Sequence, residues 1–215
     1  RNKRSIPDHF DKSFELEATL EAGKKTKMLE DIRNILPKNV SCIYIRQAEA
    51  LGLGHAVLLA KSVVGNEPFS VILADDLIDA DKPAMQQMTE LFEQQGASIL
   101  GVEDVDPSET ASYGIVDAAE VDGPNVLELN GIVEKPQPEE APSNLAVVGR
   151  YILTPEIFAC LENVKPGKGG EIQLTDGIAA LMEQQKVLAY RFDGKRYDCG
   201  SKLGYVKANV EYSLK

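Results

Sequence analysis

Two carboxylates, Asp75 and Asp76, directly follow the apolar run FSVILA at residues 69–74. A continuous apolar run is typical of a strand buried on both faces, and open α/β sheets bind ligands at the carboxyl ends of their strands. Magnesium prefers carboxylate oxygens and is usually held by one or two of them together with substrate phosphates. The pattern is consistent with a metal site. It is also consistent with one aspartate that caps the next helix while the other faces water.

A second set of chemically useful residues lies at two further strand ends. Glu134 and Lys135 precede Pro136 at the end of an apolar segment. There a lysine can neutralise a phosphate and a glutamate can accept hydrogen bonds from sugar hydroxyls. Asp198, in the stretch YDCGS, is either a second metal ligand or a helix N-cap. Local sequence alone favours ordinary surface roles for these three residues.

Glycines occur at two places in the chain where they could shape a ligand-binding loop. Gly52 and Gly54 lie between a predicted strand at residues 41–46 and a predicted helix at 55–62. Glycine lets a ligand approach the backbone, and a helix N-terminus offers N–H groups to an anion. The unit lacks the third glycine of a dinucleotide fingerprint, so a plain tight turn explains it equally well. The stretch GGEIQLTD at residues 169–176 is either a loop over a substrate or a helix start.

The elements that must position these residues follow an alternating pattern. Apolar runs alternate with helical periodicity, which predicts a Rossmann-like α/β fold with a mixed, mostly parallel sheet flanked by helices. Short strand-like pieces at residues 114–153 predict an antiparallel excursion in the middle third. The remaining predicted elements are helices at 83–95, 155–163, 171–184 and from 202 onward, and strands at 97–103 and 187–192. The length predicts one domain over residues 1–215.

Composition excludes several classes of protein. With 23 basic and 34 acidic residues the net charge is −11, which disfavours nucleic acid as a partner. No apolar run approaches a membrane span, and the basic opening is not followed by a signal-peptide core. Cys42, Cys160 and Cys199 form no C-x-x-C pair and the chain has two histidines, which argues against a disulfide framework and a structural zinc site. We therefore expect a cytoplasmic protein.

Taken together and in order, these motifs resemble a known family. The matching stretches are RNKRSIPDHFD, RQAEALGLGHAV, VILADD, SYGIV, GIVEKP, LAVVGRYIL, GGEIQLTD and RYDCGSKLGY. They resemble the bacterial UTP–glucose-1-phosphate uridylyltransferases, a branch of the sugar-1-phosphate nucleotidylyltransferases. SYGIV and VEKP are shared with sister families, whereas RQAEALGLGHAV with YDCGSKLGY is far more specific to this branch.

The resemblance implies a reaction and the residues that carry it out. It implies transfer of uridylyl from UTP to glucose 1-phosphate with Mg2+, by a homo-oligomer (a dimer or a tetramer). Asp75 and Asp198 match the two metal ligands, and Lys135 matches the residue that holds the sugar phosphate. Asp75 and Lys135 are thus the catalytic candidates. Asp76 stands where related families often have Asn, and the resemblance assigns it no role.

The resemblance also implies five further substrate contacts. Gln47 and Gly52 match the residues that read the uracil edge and let its ring approach the backbone. Gly114 and Glu134 match residues that hold the glucose ring. Val147 falls in the segment that closes over the sugar.

The chain departs from the family pattern in one respect. The family's loop containing G-x-G-T-R, followed by P-K-E-M, cradles the triphosphate, and neither motif occurs in this sequence. We therefore expect residues 1–215 by themselves to be inactive and poorly folded. Two alternatives remain: a non-catalytic module that binds nucleotide sugar or partner chains, and a sister nucleotidylyltransferase with another base or sugar.

Overall fold

The computed structural model describes residues 4–215, apart from the side chain of Lys168. The first three residues of the RNKRSIPDHFD motif lie outside the described residues. By its internal contacts the chain divides into two compact units, Arg1–Arg46 and Gln47–Lys215. The single domain expected over residues 1–215 stays a prediction. Within residues 4–215, no helix is both long and apolar enough to cross a membrane.

The first unit contains three short helices, α1 (Ser5–Phe10), α2 (Phe14–Ala22) and α3 (Thr26–Arg33). The buried carboxylate of Glu17 on α2 pairs with Arg33 Nε at 2.8 Å, which ties α2 to α3.

The strand predicted at residues 41–46 is wrong, because this segment has no regular secondary structure and most of it is exposed. A strand needs a neighbour to pair its N–H and C=O groups. No strand among the described residues pairs with this segment.

The second unit contains a sheet of six strands in the order β1-β6-β3-β7-β5-β4, and a separate pair, β2 with β8. The strands are β1 (Phe69–Ile72), β2 (Asp76–Asp79), β3 (Ser98–Asp104), β4 (Gly114–Glu120), β5 (Val126–Glu134), β6 (Leu145–Leu153), β7 (Val187–Arg191) and β8 (Lys195–Asp198). The helices are α4 (Leu53–Leu59), α5 (Lys61–Val64), α6 (Ala84–Gln95), α7 (Ile157–Asn163), α8 (Leu174–Met182) and α9 (Lys202–Ser213).

The predicted mixed α/β sheet flanked by helices is confirmed, but the predicted majority of parallel pairings is wrong. Among the described residues β3 and β7 form the parallel pair, and the other pairings are antiparallel. For the consecutive strands β4 and β5 the physical reason is connection length, since a parallel pair needs a crossover of roughly a dozen or more residues. β4 and β5 follow each other through a short turn, which permits antiparallel pairing only.

Side chains of β3 show how helices cover both faces of the sheet. Ile99 packs in a core cluster with Met88 of α6, while Leu100 belongs to the opposite cluster with Phe158 of α7 and Ile178 of α8. Successive residues of a strand point to opposite faces, so both faces of β3 are buried. The sheet is thus a rigid platform from which the strand ends project.

The prediction that residues 69–74 form a strand buried on both faces is half right. β1 forms, but its residues alternate between partly buried and exposed, and Ile72 is 56% exposed. β1 lies at the edge of the sheet and, among the described strands, pairs with β6 alone. The strand buried throughout is β6, whose residues are all buried.

Candidate functional site

The short pair β2–β8 brings together the two predicted metal ligands. Its antiparallel register places Asp76 opposite Asp198. Just beyond the pair, Cys199 N–H donates a hydrogen bond to Asp75 O over 2.7 Å. A Cβ atom added at Gly200 would lie 3.0 Å from Asp198 Oδ1 and 3.1 Å from Asp75 Oδ2. One carboxylate oxygen of Asp75 and one of Asp198 therefore border the same small volume beside Gly200.

Neither of these two aspartates caps a helix, as their local alternatives proposed. Asp75 precedes a strand, and the N-cap of α9 is Ser201, whose Oγ accepts a hydrogen bond from Gly204 N–H over 3.0 Å. The described side chains include no group of three or more His, Cys, Asp or Glu that could hold a metal. A pair of carboxylates fits magnesium, which is commonly held by one or two carboxylates and completed by water and substrate phosphates.

Two hydrogen bonds orient the Asp198 carboxylate. Gly200 N–H donates to Oδ1 over 2.9 Å, and Tyr113 Oη donates to Oδ2 over 3.2 Å. Burial raises the pKa of the Tyr113 hydroxyl; the Arg196 guanidinium opposes this rise and the Asp198 carboxylate adds to it. The hydroxyl is therefore protonated at neutral pH and available as a donor.

The neighbouring carboxylate, Asp76, is buried and has a different role. It forms an ion pair with Arg196 Nε, and its Oδ2 accepts a hydrogen bond from Gly149 N–H over 2.8 Å. Arg196 also pairs with Glu103 Oε1 at 2.5 Å. Burial alone would lower the pKa of Arg196, but the Asp76 and Glu103 carboxylates and Tyr113 outweigh it and raise that pKa. Asp76 thus ties β2 to β8 and β6.

These residues surround a cavity of about 370 Å³. Six of the eight predicted site residues line it: Asp75, Gly114, Glu134, Lys135, Val147 and Asp198. Gln47 and Gly52 are not among its lining residues, although the next residue in the chain, Leu53, is. The structure therefore brings together carboxylates, a lysine and residues of strands β4, β5 and β6 around one cavity.

Gln47 and Gly52 belong to a loop that packs on the loop before α8. Gln47 Nε2 donates to Gly52 O over 3.0 Å and lies 3.0 Å from His55 Nδ1. Gly52 has φ +92°, and a Cβ there would lie 2.7 Å from Ile172 O. Leu51 O accepts a hydrogen bond from Ile172 N–H over 2.8 Å. Gly52 is required here because two backbone segments of the protein approach each other.

Residues 169–176, for which the sequence allowed either a substrate loop or a helix start, contain both. Glu171 and Gln173 line the cavity, and α8 begins at Leu174. The first part of GGEIQLTD is therefore a loop over the cavity, and the last part is a helix start.

Glu134 and Lys135 end β5 at the cavity wall. Glu134 Oε2 accepts a hydrogen bond from Thr175 Oγ1 over 3.0 Å, and Lys135 Nζ lies 3.4 Å from Glu134 Oε1. Lys135 has φ 47°, in the left-handed region that costs a non-glycine residue roughly 1–2 kcal/mol. Its N–H donates to Tyr113 O over 2.9 Å. The lysine is thus held in an unfavourable backbone conformation by its neighbours, which is common at binding sites.

Sequence reasoning assigned no role to four residues of this site: Tyr113, Gly149, Thr175 and Arg196. All four lie inside motifs that carry the resemblance, so their positions were signalled but their contacts were not. The contacts of Arg196 could not be predicted from the sequence, because it forms ion pairs with residues about a hundred positions away.

We expect Gly149→Ala to lower the free energy of unfolding by about 3 kcal/mol or more, because the added Cβ has no room. It would lie 2.4 Å from Asp76 Oδ2 and 2.5 Å from Leu73 Cβ. Gly131→Ala is the matched control, since the nearest atom to its Cβ would be Asp117 Cβ at 3.8 Å. Denaturant unfolding of both variants tests this. Equal stability of the two would contradict the close packing at Gly149.

Comparison with known proteins places the chain in a family. The sequence profile of the nucleotidyl transferase family matches residues 10–214. The chain therefore belongs to the nucleotidyl transferase family. It is 47% identical over 215 residues to a UTP–glucose-1-phosphate uridylyltransferase of Staphylococcus epidermidis, covering 100% of this chain and 74% of that protein. It is 48% identical over 211 residues to the protein of the same name from Pseudomonas aeruginosa, covering 97% and 75%.

Solved structures agree with this assignment. A UDP-glucose pyrophosphorylase complexed with UDP-glucose matches with a TM-score of 0.88 and 44% identity, over 100% of this chain and 79% of that one. A UTP-bound UGPase from Acinetobacter baumannii matches with a TM-score of 0.88 and 46% identity, over 99% and 74%. The resemblance drawn from the motifs is confirmed. The chain spans about three quarters of the length of these relatives.

Proposed function

We propose that this chain transfers the uridylyl group of UTP to glucose 1-phosphate, giving UDP-glucose and pyrophosphate. The observation that carries the proposal is the cavity in which Asp75, Asp198, Glu134 and Lys135 meet. The uridylyltransferase names of relatives that are nearly half identical over the chain support the same reaction.

The reaction requires positioning and charge neutralisation. A phosphate oxygen of glucose 1-phosphate attacks the α-phosphorus of UTP, a new P–O bond forms, and the bond to the bridging oxygen breaks so that pyrophosphate leaves. Both reactants are anions, so the site must offset their mutual repulsion. A magnesium ion, when bound, supplies that neutralisation at the phosphates.

Different residues of the chain would perform the positioning and the charge neutralisation. Asp75 and Asp198 would hold the magnesium, since each directs an oxygen to the same volume. Lys135 would place its ammonium on the sugar phosphate. Glu134, already fixed by Thr175, would accept hydrogen bonds from sugar hydroxyls. No covalent nucleophile takes part in this scheme.

A substrate panel tests the proposal. The protein, with any sequence that flanks residues 1–215 retained, is incubated with Mg2+, one of UTP, dTTP or ATP, and either glucose 1-phosphate or N-acetylglucosamine 1-phosphate. We expect fastest product formation with UTP and glucose 1-phosphate. A preference for another base or sugar would favour a sister enzyme. Binding of UDP-glucose without turnover of any pair would favour a non-catalytic module.

We predict that Gln47→Ala weakens the preference for UTP over ATP. An amide side chain can pair with both a carbonyl and an N–H of the uracil edge. Gln47 Nε2 also fixes the loop through Gly52 O, so the variant loses a base contact and a loop contact. The ratio of kcat/KM for the two nucleotides measures the effect. An unchanged ratio would remove Gln47 from base recognition.

Three further properties belong to the same proposal. Mg2+ is the metal, because its ligand preference suits two carboxylates. The protein is a homo-oligomer and is cytoplasmic. Cys42, Cys160 and Cys199 are free thiols in the structure, in keeping with a reducing compartment.

A further inference from the structure

Tyr113, immediately before β4, contacts the two chemically active parts of the site. Its hydroxyl donates a hydrogen bond to Asp198 Oδ2 over 3.2 Å. Its carbonyl oxygen accepts a hydrogen bond from Lys135 N–H over 2.9 Å. The same residue therefore restrains a carboxylate of the proposed metal site and the backbone of the lysine assigned to the sugar phosphate.

The Tyr113 ring is itself held in place. The Arg196 guanidinium carbon lies 5.0 Å from the ring centroid, a distance suited to a cation–π contact. The Arg196 side chain is 6% exposed and is ion-paired with Asp76 and Glu103. Because the cation under the ring is fixed by two carboxylates, the position of the hydroxyl is fixed as well.

We infer that Tyr113 is a positioning residue that orients the Asp198 carboxylate for the metal, an inference that rests on the proposed function. Gly200 N–H restrains Oδ1 and the Tyr113 hydroxyl restrains Oδ2. With both oxygens restrained, the carboxylate presents a fixed edge to the volume that it shares with Asp75. Without the hydroxyl the carboxylate can rotate about its last side-chain bond.

Tyr113→Phe separates the hydroxyl from the rest of the side chain. The variant keeps the ring on Arg196 and the carbonyl bond to Lys135, but it loses the donor to Asp198. Loss of an outer partner of a metal ligand commonly weakens metal affinity by roughly 10–100-fold. We expect Mn2+, used as a paramagnetic probe for Mg2+, to bind the variant roughly tenfold more weakly in the presence of UDP-glucose.

Electron paramagnetic resonance titration of free Mn2+ reads the affinity directly. Tyr190→Phe is the matched control, because Tyr190 lies on β7 outside the cavity and its hydroxyl faces Gln87 Oε1 at 3.4 Å. This variant should bind Mn2+ like wild type. In an Asp198→Asn background, Tyr113→Phe should cause no further loss of affinity, since the two groups act as a unit.

Several outcomes would overturn the inference. Equal Mn2+ affinity of wild type and Tyr113→Phe would overturn it, as would additive losses in the double variant or no Mn2+ binding by wild type. A wild-type protein that binds Mn2+ but forms no UDP-glucose contradicts the proposed function instead. The two proposals can therefore fail separately.

Discussion

Asp75→Ala is expected to lower kcat on the order of a thousandfold while the protein stays folded. The Asp75 side chain is exposed in the cavity and borders the same volume as Asp198, so it contributes to charge neutralisation and not to the core. Asp198→Ala should have a similar effect. Pyrophosphate release measured against Mg2+ concentration, together with a thermal melt, tests both variants.

The matched control for Asp75→Ala is Asp79→Ala, on the short strand β2 that Asp75 precedes. Asp79 pairs with Lys215 and does not line the cavity of about 370 Å³. Its loss should cost no more than a surface ion pair, about 0–1 kcal/mol of stability, and should leave turnover intact. Near-normal turnover in either Asp75→Ala or Asp198→Ala would contradict the assignment of the metal ligands.

Lys135→Ala is expected to lower kcat/KM for glucose 1-phosphate by roughly 10–150-fold, and that for UTP far less. The lost charge-assisted contact to the sugar phosphate is worth about 1.5–3 kcal/mol, which converts to this range. Lys135 is half exposed in the structure, and its nearest described carboxylate is Glu134 at 3.4 Å. Steady-state kinetics with each substrate varied in turn measure the split.

Two controls separate the charge of Lys135 from its backbone conformation. Lys135→Gly also removes the ammonium but relieves the left-handed φ of 47°. It should lose glucose 1-phosphate use as Lys135→Ala does, with equal or higher stability. Lys186→Ala, which removes an exposed lysine paired with Glu128, should change neither constant. A change confined to the UTP constant would show that Lys135 acts on the other substrate.

The sequence indicated the chemistry of the metal site but not its assembly. Asp75 and Asp198 each follow an apolar or mixed segment, so both could be assigned to element ends. Their proximity depends on the pairing of β2 with β8, strands of four residues each, which are too short for a periodic signal. The resemblance supplied the link that the local pattern lacked.

The sequence also could not show which of Asp75 and Asp76 is buried and which is exposed. Neighbouring residues in extended backbone point to opposite sides, and which of the two is buried depends on tertiary contacts. Asp76 turns inward because Arg196 and Gly149 N–H lie there. Similarly, the apolar run at residues 69–74 predicted a strand but not its place in the sheet, and β1 lies at the edge.

The fate of an isotopic label tests the central claim most directly. The protein, with any sequence that flanks residues 1–215 retained, is given UTP labelled at the α-phosphorus, together with glucose 1-phosphate and Mg2+. Attack on the α-phosphorus predicts that all the label converted appears in UDP-glucose, with one unlabelled pyrophosphate released for each UDP-glucose formed. Label in UMP or UDP, or label that stays in UTP while UDP-glucose binds tightly, would contradict uridylyl transfer by this chain.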